Sequence, residues 1–290
     1  MKKTPEISFR EDFIDVGFEI KKLERFFIEH ADIDKLVSHR LLFYVIIFPT
    51  QGEGKHQINF ETYNYKQKDI VFIGSGQINR WLEQNSVTGY MILFTQDFLY
   101  KNQTTFNDLS YSYPYNSFLY NPVIRLKDSN EYDVVNSLID HIYKEYISPN
   151  TEVKQEIIQC LLRAFFLKIR SLSQIKISES NKQYSELFIR FQRELDQNLS
   201  ITRNANDYCD LLKVTYRDLN IACKAFTKKT IKSFINEVII LKAQKYLLDI
   251  DKNVSITSYM LGFEEVSNFS KFFKKHTGLS PKQFISSVNK

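Results

Sequence analysis

Side chains able to do chemistry fall into two groups in this chain of 290 residues. The first is sparse. Cys160, Cys209 and Cys223 show neither CxxC nor metal-ligand spacing, and an odd, scattered set is expected as buried thiols in a reducing compartment. His39 and His56 stand apart, and histidines on separate strands are hydrogen-bonded or surface residues more often than ligands. The second group is dense. Residues 181–290 hold 18 Lys and Arg against 11 Asp and Glu, while the remainder holds 21 against 23. Charge gathered this way suits a polyanion such as nucleic acid, with a solvated helical face as the alternative.

These side chains need elements to position them. At 43% hydrophobic and 25% charged, the composition excludes disordered, collagen-like and coiled-coil classes, and the length predicts two domains. Six of the eight glycines precede residue 90, whereas after Pro149 the only breakers are Gly262, Gly278 and Pro281. A turn-rich front and long helices behind follow from that distribution. Between Leu41 and Phe98, short runs rich in Val, Ile, Phe and Tyr alternate with turn signals about every ten residues, the pattern of a small antiparallel barrel. Residues 98–125 read as a short helix and irregular packing. The N-terminus has no apolar targeting core and no run suits a membrane span, so a cytoplasmic protein is expected.

Two amphipathic helices are predicted next, Ser129 to Ile147 and Thr151 to about Leu172. The second is apolar around much of its circumference at IIQCLLRAFFLKI, which fits either a dimerisation surface or interdomain packing. Residues 173–183 read as a polar linker, and Ser185 to Gln197 as a helix.

The last hundred residues contain one pattern twice. Ala205, Tyr208, Cys209 and Leu212 share a face of a short helix. A tight turn follows, and Thr215 can cap a second helix to about Phe226, whose inner face is Leu219, Ala222, Cys223 and Phe226. About fifty residues on, Asn253 caps a helix that ends at Gly262, and a helix from about Glu265 to His276 buries Phe269, Phe272 and Phe273. That helix stops at Gly278, and Pro281 starts the last one. Between the repeats, Thr230 to Leu248 carries an unbroken stripe of Ile235, Val238, Ile239, Ala243 and Leu247. Such a rod spans about 25 to 30 Å, near the ~34 Å between successive major-groove faces of B-DNA.

The segment LGFEEVSNFSKFFKKHTGLSPKQF, with Leu261, Gly262, Phe263, Phe269, Phe272, Lys274, Gly278 and Pro281 in register, resembles the signature of the AraC/XylS family of bacterial transcription regulators. The resemblance covers about residues 185–290. It departs at Lys228, where the family often has Gly and a less sharply turned helix end is expected, and at Ser258, where Ala is usual and a hydroxyl can bond back to the preceding turn.

The resemblance implies two recognition helices entering adjacent major grooves of double-stranded DNA. It places Arg217, Asn220 and Ile221, then Val266, Ser267, Asn268 and Lys271, against base edges. Arg suits guanine, Asn suits adenine, and Ile or Val suits a thymine methyl. Lys224, Lys228, Lys229, Lys274 and Lys275 suit phosphates, and Asp218, Glu264 and Glu265 are assigned no contact. The family also implies an N-terminal cupin-like barrel that binds a small effector and dimerises; the interior of the barrel read here offers Tyr44, Phe60, Tyr63, Phe72 and Trp81 as candidate pocket residues, with plain core packing as the alternative for each. A metal-dependent cupin enzyme would need an HxH pair, a Glu and a later His. Here Ser38-His39-Arg40 and Asn79 stand at the first and last of those positions, so no metal, cofactor or enzymatic activity is expected.

The fold expected is therefore α+β: a cupin-like antiparallel β-barrel effector or dimerisation domain over 1–128, a helical and dimerising connector over 129–172, a linker over 173–183, and an all-α domain with two helix-turn-helix units over 184–290. The function expected is a sequence-specific regulator, activating by family expectation. It would act as a homodimer, with RNA polymerase as a partner and a small effector in control. The alternative is a dimeric regulator that needs no effector.

Overall fold

The computed structural model describes residues 6–7, 17–29, 38–100, 114–116, 121–172, 179–248 and 253–288. The chain divides into two compact units, Glu6–Ile175 and Lys176–Lys290. The first six residues of the expected linker, and much of the stretch expected to be irregular over 98–125, lie outside the described residues.

The first unit is an eight-stranded, almost wholly antiparallel sheet of β1 (Glu6–Ile7), β2 (Phe18–Lys22), β3 (His39–Leu41), β4 (Tyr44–Ile58), β5 (Glu61–Lys66), β6 (Asp69–Ile73), β7 (Ile78–Phe94) and β8 (Val123–Arg125). Two short helices, α1 (Leu23–Glu29) and α2 (Gln96–Tyr100), follow β2 and β7. Strand pairing runs β1-β3-β7-β4-β6-β8, with β2 added to β7 and β5 to β4. The long strands β4 and β7 pair from Tyr44↔Phe94 to Ile58↔Asn79, and the register slips between Pro49 and Gln51. Opposite that slip stands Gly89 (φ +145); a Cβ there would collide with the Phe48 carbonyl, so only glycine lets the strands approach.

Both faces of the sheet are buried, because side chains alternate at period two. Phe18, Tyr44, Ile46, Phe48, Phe72, Ile92 and Phe94 form one core with the helices α3 (Ser129–Ile147) and α4 (Lys154–Leu172). Phe43, Val45, Ile47, Ile58, Tyr65, Trp81 and Met91 form the other. The expected connector 129–172 therefore belongs to the sheet's own unit: α3 and α4 complete its core. At the start of α3, Asp128 accepts from Glu131 N (2.8 Å) while Glu131 accepts from Lys127 N (2.7 Å), a reciprocal cap. Helix α4 buries Ile158, Leu162, Phe165 and Ile169. Val153 just before it and Ile157, Cys160, Ala164 and Leu167 on its outer face are exposed, spaced by four, three, four and three, with Leu167 63% exposed. Cys160 is thus a correction to the expected burial of all three thiols.

The second unit holds α5 (Glu179–Asn198), α6 (Ala205–Leu212), α7 (Tyr216–Thr227), α8 (Ile231–Leu247), α9 (Val254–Met260), α10 (Val266–Thr277) and α11 (Pro281–Val288). Helix α5 starts at Glu179, so the last five residues of the expected linker are helical. All five stripe residues of α8 are buried, joined by Ile231 and Phe234. Among the described residues, no helix is long and apolar enough to cross a membrane.

Candidate nucleic-acid interface

Each repeat in the second unit is a pair of short helices joined by a tight turn. In the first repeat, Asn204 caps α6 and accepts from Asn206 N. Lys213, in the left-handed region (φ 55), ends that helix. Thr215 caps α7: its hydroxyl accepts from Asp218 N (3.1 Å) and donates to Asp218 Oδ2 (2.7 Å). Asp218 is thereby committed to holding the helix start. In the second repeat, Asn253 caps α9, Gly262 makes the left-handed turn and Phe263 is buried beneath α10.

Helix α7 buries Leu219, Ala222 and Cys223 and leaves Arg217 and Lys224 exposed, with Ile221 half-buried. Burial pushes the Cys223 thiol up to about 11, well away from a reactive thiolate. Asn220 sits differently from its expected role. It is half-buried, and its Oδ1 accepts from Ile231 N at 3.4 Å, pinning the first turn of α8. Paired reading of adenine needs both amide atoms, so this bond competes with that role. Lys229 also has a partner: its Nζ lies 2.7 Å from both carboxylate oxygens of Glu237 on α8, which offsets the charge expected for a phosphate. Lys228 ends α7 in the left-handed region (φ 59), and its backbone N–H donates to Lys224 O. The end is as sharply turned as at Gly278 (φ 78), which corrects the expectation of a looser one.

On α10, Ser267, Asn268 and Lys271 are exposed on one side, Phe269 and Phe273 are buried on the other, and Val266 is half-buried. Lys274 and Lys275 are exposed in the last turn beside His276, where cations complement the helix C-terminus. Ser267 donates to Glu265 Oε2 at 2.9 Å, so Glu265 is occupied at the helix entrance. Ser258 Oγ, expected to bond back along α9, is fully buried and makes no hydrogen bond. Tyr216, 46% exposed at the first position of α7, was not singled out by sequence. Its place directly after the capping threonine was the available signal.

The five candidate pocket residues do not converge. Tyr44 and Phe72 lie in the core shared with α3 and α4, while Trp81 and Tyr63 pack with the core of the opposite sheet face. Phe60 occupies the tip of the β4–β5 hairpin, where Asn59 and Phe60 both take positive φ (48 and 72), as a two-residue hairpin turn requires. Strand parity produces this split.

His39 and His56, separate in sequence, meet through Asn79. His39 pairs with Asn79 across β3 and β7, Asn79 Nδ2 donates to His39 O (3.1 Å), and His56 Nε2 lies 3.2 Å from Asn79 Oδ1. Burial lowers the His56 pKa to about 4, partly offset by the bond to Asn79, so the ring is neutral at neutral pH. Among the described residues, no three His, Cys, Asp or Glu side chains gather as a metal site.

Residues 208–287 match the family described as helix-turn-helix domain. A stretch of 61 residues is 46% identical to the protein called "Uncharacterized HTH-type transcriptional regulator in cgkA 5'region" of Pseudoalteromonas carrageenovora, covering 21% of this chain and 36% of that protein. The match thus spans about a third of the curated relative's length. Among solved structures, wild-type ToxT of Vibrio cholerae with bound unsaturated fatty acid is similar over 96% of this chain and 97% of its own, at 14% identity and a TM-score of 0.45. The C-terminal domain of the response regulator yesN of Fusobacterium nucleatum is similar over 33% of this chain and 94% of its own, at 21% identity and a TM-score of 0.31.

Proposed function

From the premise that the C-terminal residues form a helix-turn-helix domain of the AraC type, we propose that the chain is a sequence-specific DNA-binding transcription regulator. The observation that carries this reading is the repetition itself. Two helix pairs, with side-chain caps at Asn204, Thr215 and Asn253, flank one breaker-free rod, and α7 and α10 each bury an apolar face while presenting polar and cationic side chains outward. Seventeen residues of α8 span about 26 Å, a fair match to recognition helices in successive major grooves.

Arg217, Ile221, Ser267, Asn268, Lys271 and Val266 are assigned to base edges, and Lys224, Lys228, Lys274 and Lys275 to phosphates. Asn220 is left with a lesser share because of its bond to α8. The test is selection from random duplex DNA. A bipartite consensus with centres about 10 base pairs apart supports the reading, and unselective binding refutes it.

We further propose that the regulator is a homodimer, active in the cytoplasm and acting through RNA polymerase as an activator. The outer face of α4 supports self-association, because its four-three spacing is that of a coiled-coil seam. The helix carries Glu152 just before it and Glu156 against Lys154 at its start, and Arg163, Lys168 and Arg170 towards its end, so the charge rises along it and two copies match best when antiparallel. Control by a small effector stands as a proposal. A thermal-shift screen of metabolites tests it, and operator affinity indifferent to every metabolite favours an effector-free dimer. Against a metal enzyme stands the commitment of His56 Nε2 to Asn79; stoichiometric iron, manganese or zinc in the purified protein would reverse that judgement.

A further inference from the structure

Helix α8 is tied to α5 by the Lys242–Asp196 ion pair (2.7 Å), and the helices of both repeats pack beside it. A second connection joins the repeats without passing through α8. The segment after α5, residues 199–203, is held to α6: Tyr208 Oη donates to Thr202 O (2.8 Å), and Thr202 Oγ1 donates to Asp207 Oδ2 (2.5 Å). On its other side this segment receives the turn of the second repeat. The backbone of Gly262 (φ +71) comes so near that an added Cβ would stand 2.6 Å from Ser200 O. The Arg203 guanidinium carbon lies 3.9 Å from the centre of the Phe263 ring. Phe263 then packs on Phe269 and Phe272 of α10, with ring centres 5.3 and 5.4 Å away. Contacts thus run unbroken from α6 to the second recognition helix.

We propose that Gly262, Phe263 and Arg203 form a clasp that sets the angle between the two reading helices, with Arg203 as a positioning residue for recognition of a bipartite site. The inference rests on the DNA-reading role proposed above. A rod fixes separation, but any helix can twist and bend. For reading side chains about 10 Å from the α8 axis, a twist of roughly 20° moves them about 3.5 Å, one base-pair step. A contact between the repeats, off the axis of the rod, resists that twist. Gly262 permits the approach, and the planar guanidinium on Phe263 holds it shut.

Arg203 is exposed, so Arg203→Ala leaves the core intact. An exposed cation–ring contact corresponds to roughly two- to fivefold in an equilibrium constant. On the site selected by the wild-type protein, and on versions lengthened or shortened by one base pair between its halves, Arg203→Ala is expected to lose about that factor at the selected spacing only. Discrimination between spacings narrows while the salt dependence is unchanged, and Arg203→Lys, lacking the planar group, restores little. Equal weakening at every spacing with a salt slope reduced by about 0.9 would make Arg203 a phosphate contact and overturn the clasp, as would unchanged discrimination. A second measurement needs no DNA. Spin labels at Lys224→Cys and Lys282→Cys, in a Cys160→Ser background, should show a broader distance distribution when Arg203 is Ala, and an unchanged width overturns the proposal. If the wild-type protein selects no site yet the distribution still broadens, the DNA-reading role fails and the clasp stands.

Discussion

Replacing Lys228 with glycine separates two things this residue does. Its φ of 59 puts a residue with a Cβ in the left-handed region, at a cost of roughly 1 to 2 kcal/mol that glycine avoids. Glycine in turn loses more chain entropy on folding, about 0.5 to 1 kcal/mol. The hydrogen bond from Lys228 Nζ to Ala225 O (3.2 Å) is exposed, so its loss adds little. Lys228→Gly is therefore expected to stabilise the helical unit by about 0.5 to 1 kcal/mol, a rise of a few degrees in its midpoint. Fluorescence follows the sheet unit through the single tryptophan, Trp81, and because α3 and α4 also lie in that unit, the helical unit is followed by the part of the far-ultraviolet circular dichroism change that does not coincide with the tryptophan transition. The helical transition should move and the tryptophan transition should not. DNA binding should change in the opposite sense. If Lys228 neutralises one phosphate, the salt slope falls by about 0.9, so a fourfold rise in salt weakens the variant about 3.5-fold less than the wild type. Gly278→Lys is the reciprocal control: φ is 78 and open space surrounds the added Cβ, so it should cost about what Lys228→Gly gains. A less stable Lys228→Gly refutes the backbone argument, and an unaltered slope refutes the phosphate role.

Ser258→Ala should stabilise the protein by about 1 kcal/mol, since it removes a buried hydroxyl that has no hydrogen bond; destabilisation in urea unfolding would show that the hydroxyl is satisfied. His56 has a folded pKa of about 4 against 6.5 when unfolded, so the unfolded chain binds the extra proton between those values. Its contribution is full above about pH 6.5 and is lost as pH falls towards 4, by up to about 3 kcal/mol. His56→Gln should flatten that part of the curve followed through Trp81, whose ring is 4.6 Å away, and identical slopes would argue against the shift. Leu167→Glu, which places a charge on the exposed stripe of α4, should leave the fold intact and convert a dimer to monomer in sedimentation equilibrium; an unchanged dimer removes α4 from the interface. Arg217→Ala should relax one position of the selected consensus, whereas Lys275→Ala should weaken all sequences alike.

Much of the helical architecture was legible in advance because its determinants are local. Caps at Asn204, Thr215 and Asn253, the turn glycines Gly262 and Gly278, and the buried stripe of α8 all act within a few residues, and the observed helix ends lie within one or two residues of those expected for α6 to α10. Lys228 shows the limit of that reasoning. An unfavourable residue still adopts the left-handed turn, with the next helix, α8, starting only three residues later at Ile231.

Sequence alone determined the order of the helices from α3 onward, the two repeats and the outward placement of Arg217, Asn268 and Lys271, since period and capping depend on neighbours along the chain. Only tertiary structure decided what those side chains are free to do. Asn220 meets the start of α8, Lys229 meets Glu237, Tyr44 and Trp81 fall on opposite faces of one sheet, and Asn79 joins two distant histidines. Each outcome depends on strand register or helix packing between segments remote in sequence, where a shift of one residue reverses which side chains meet.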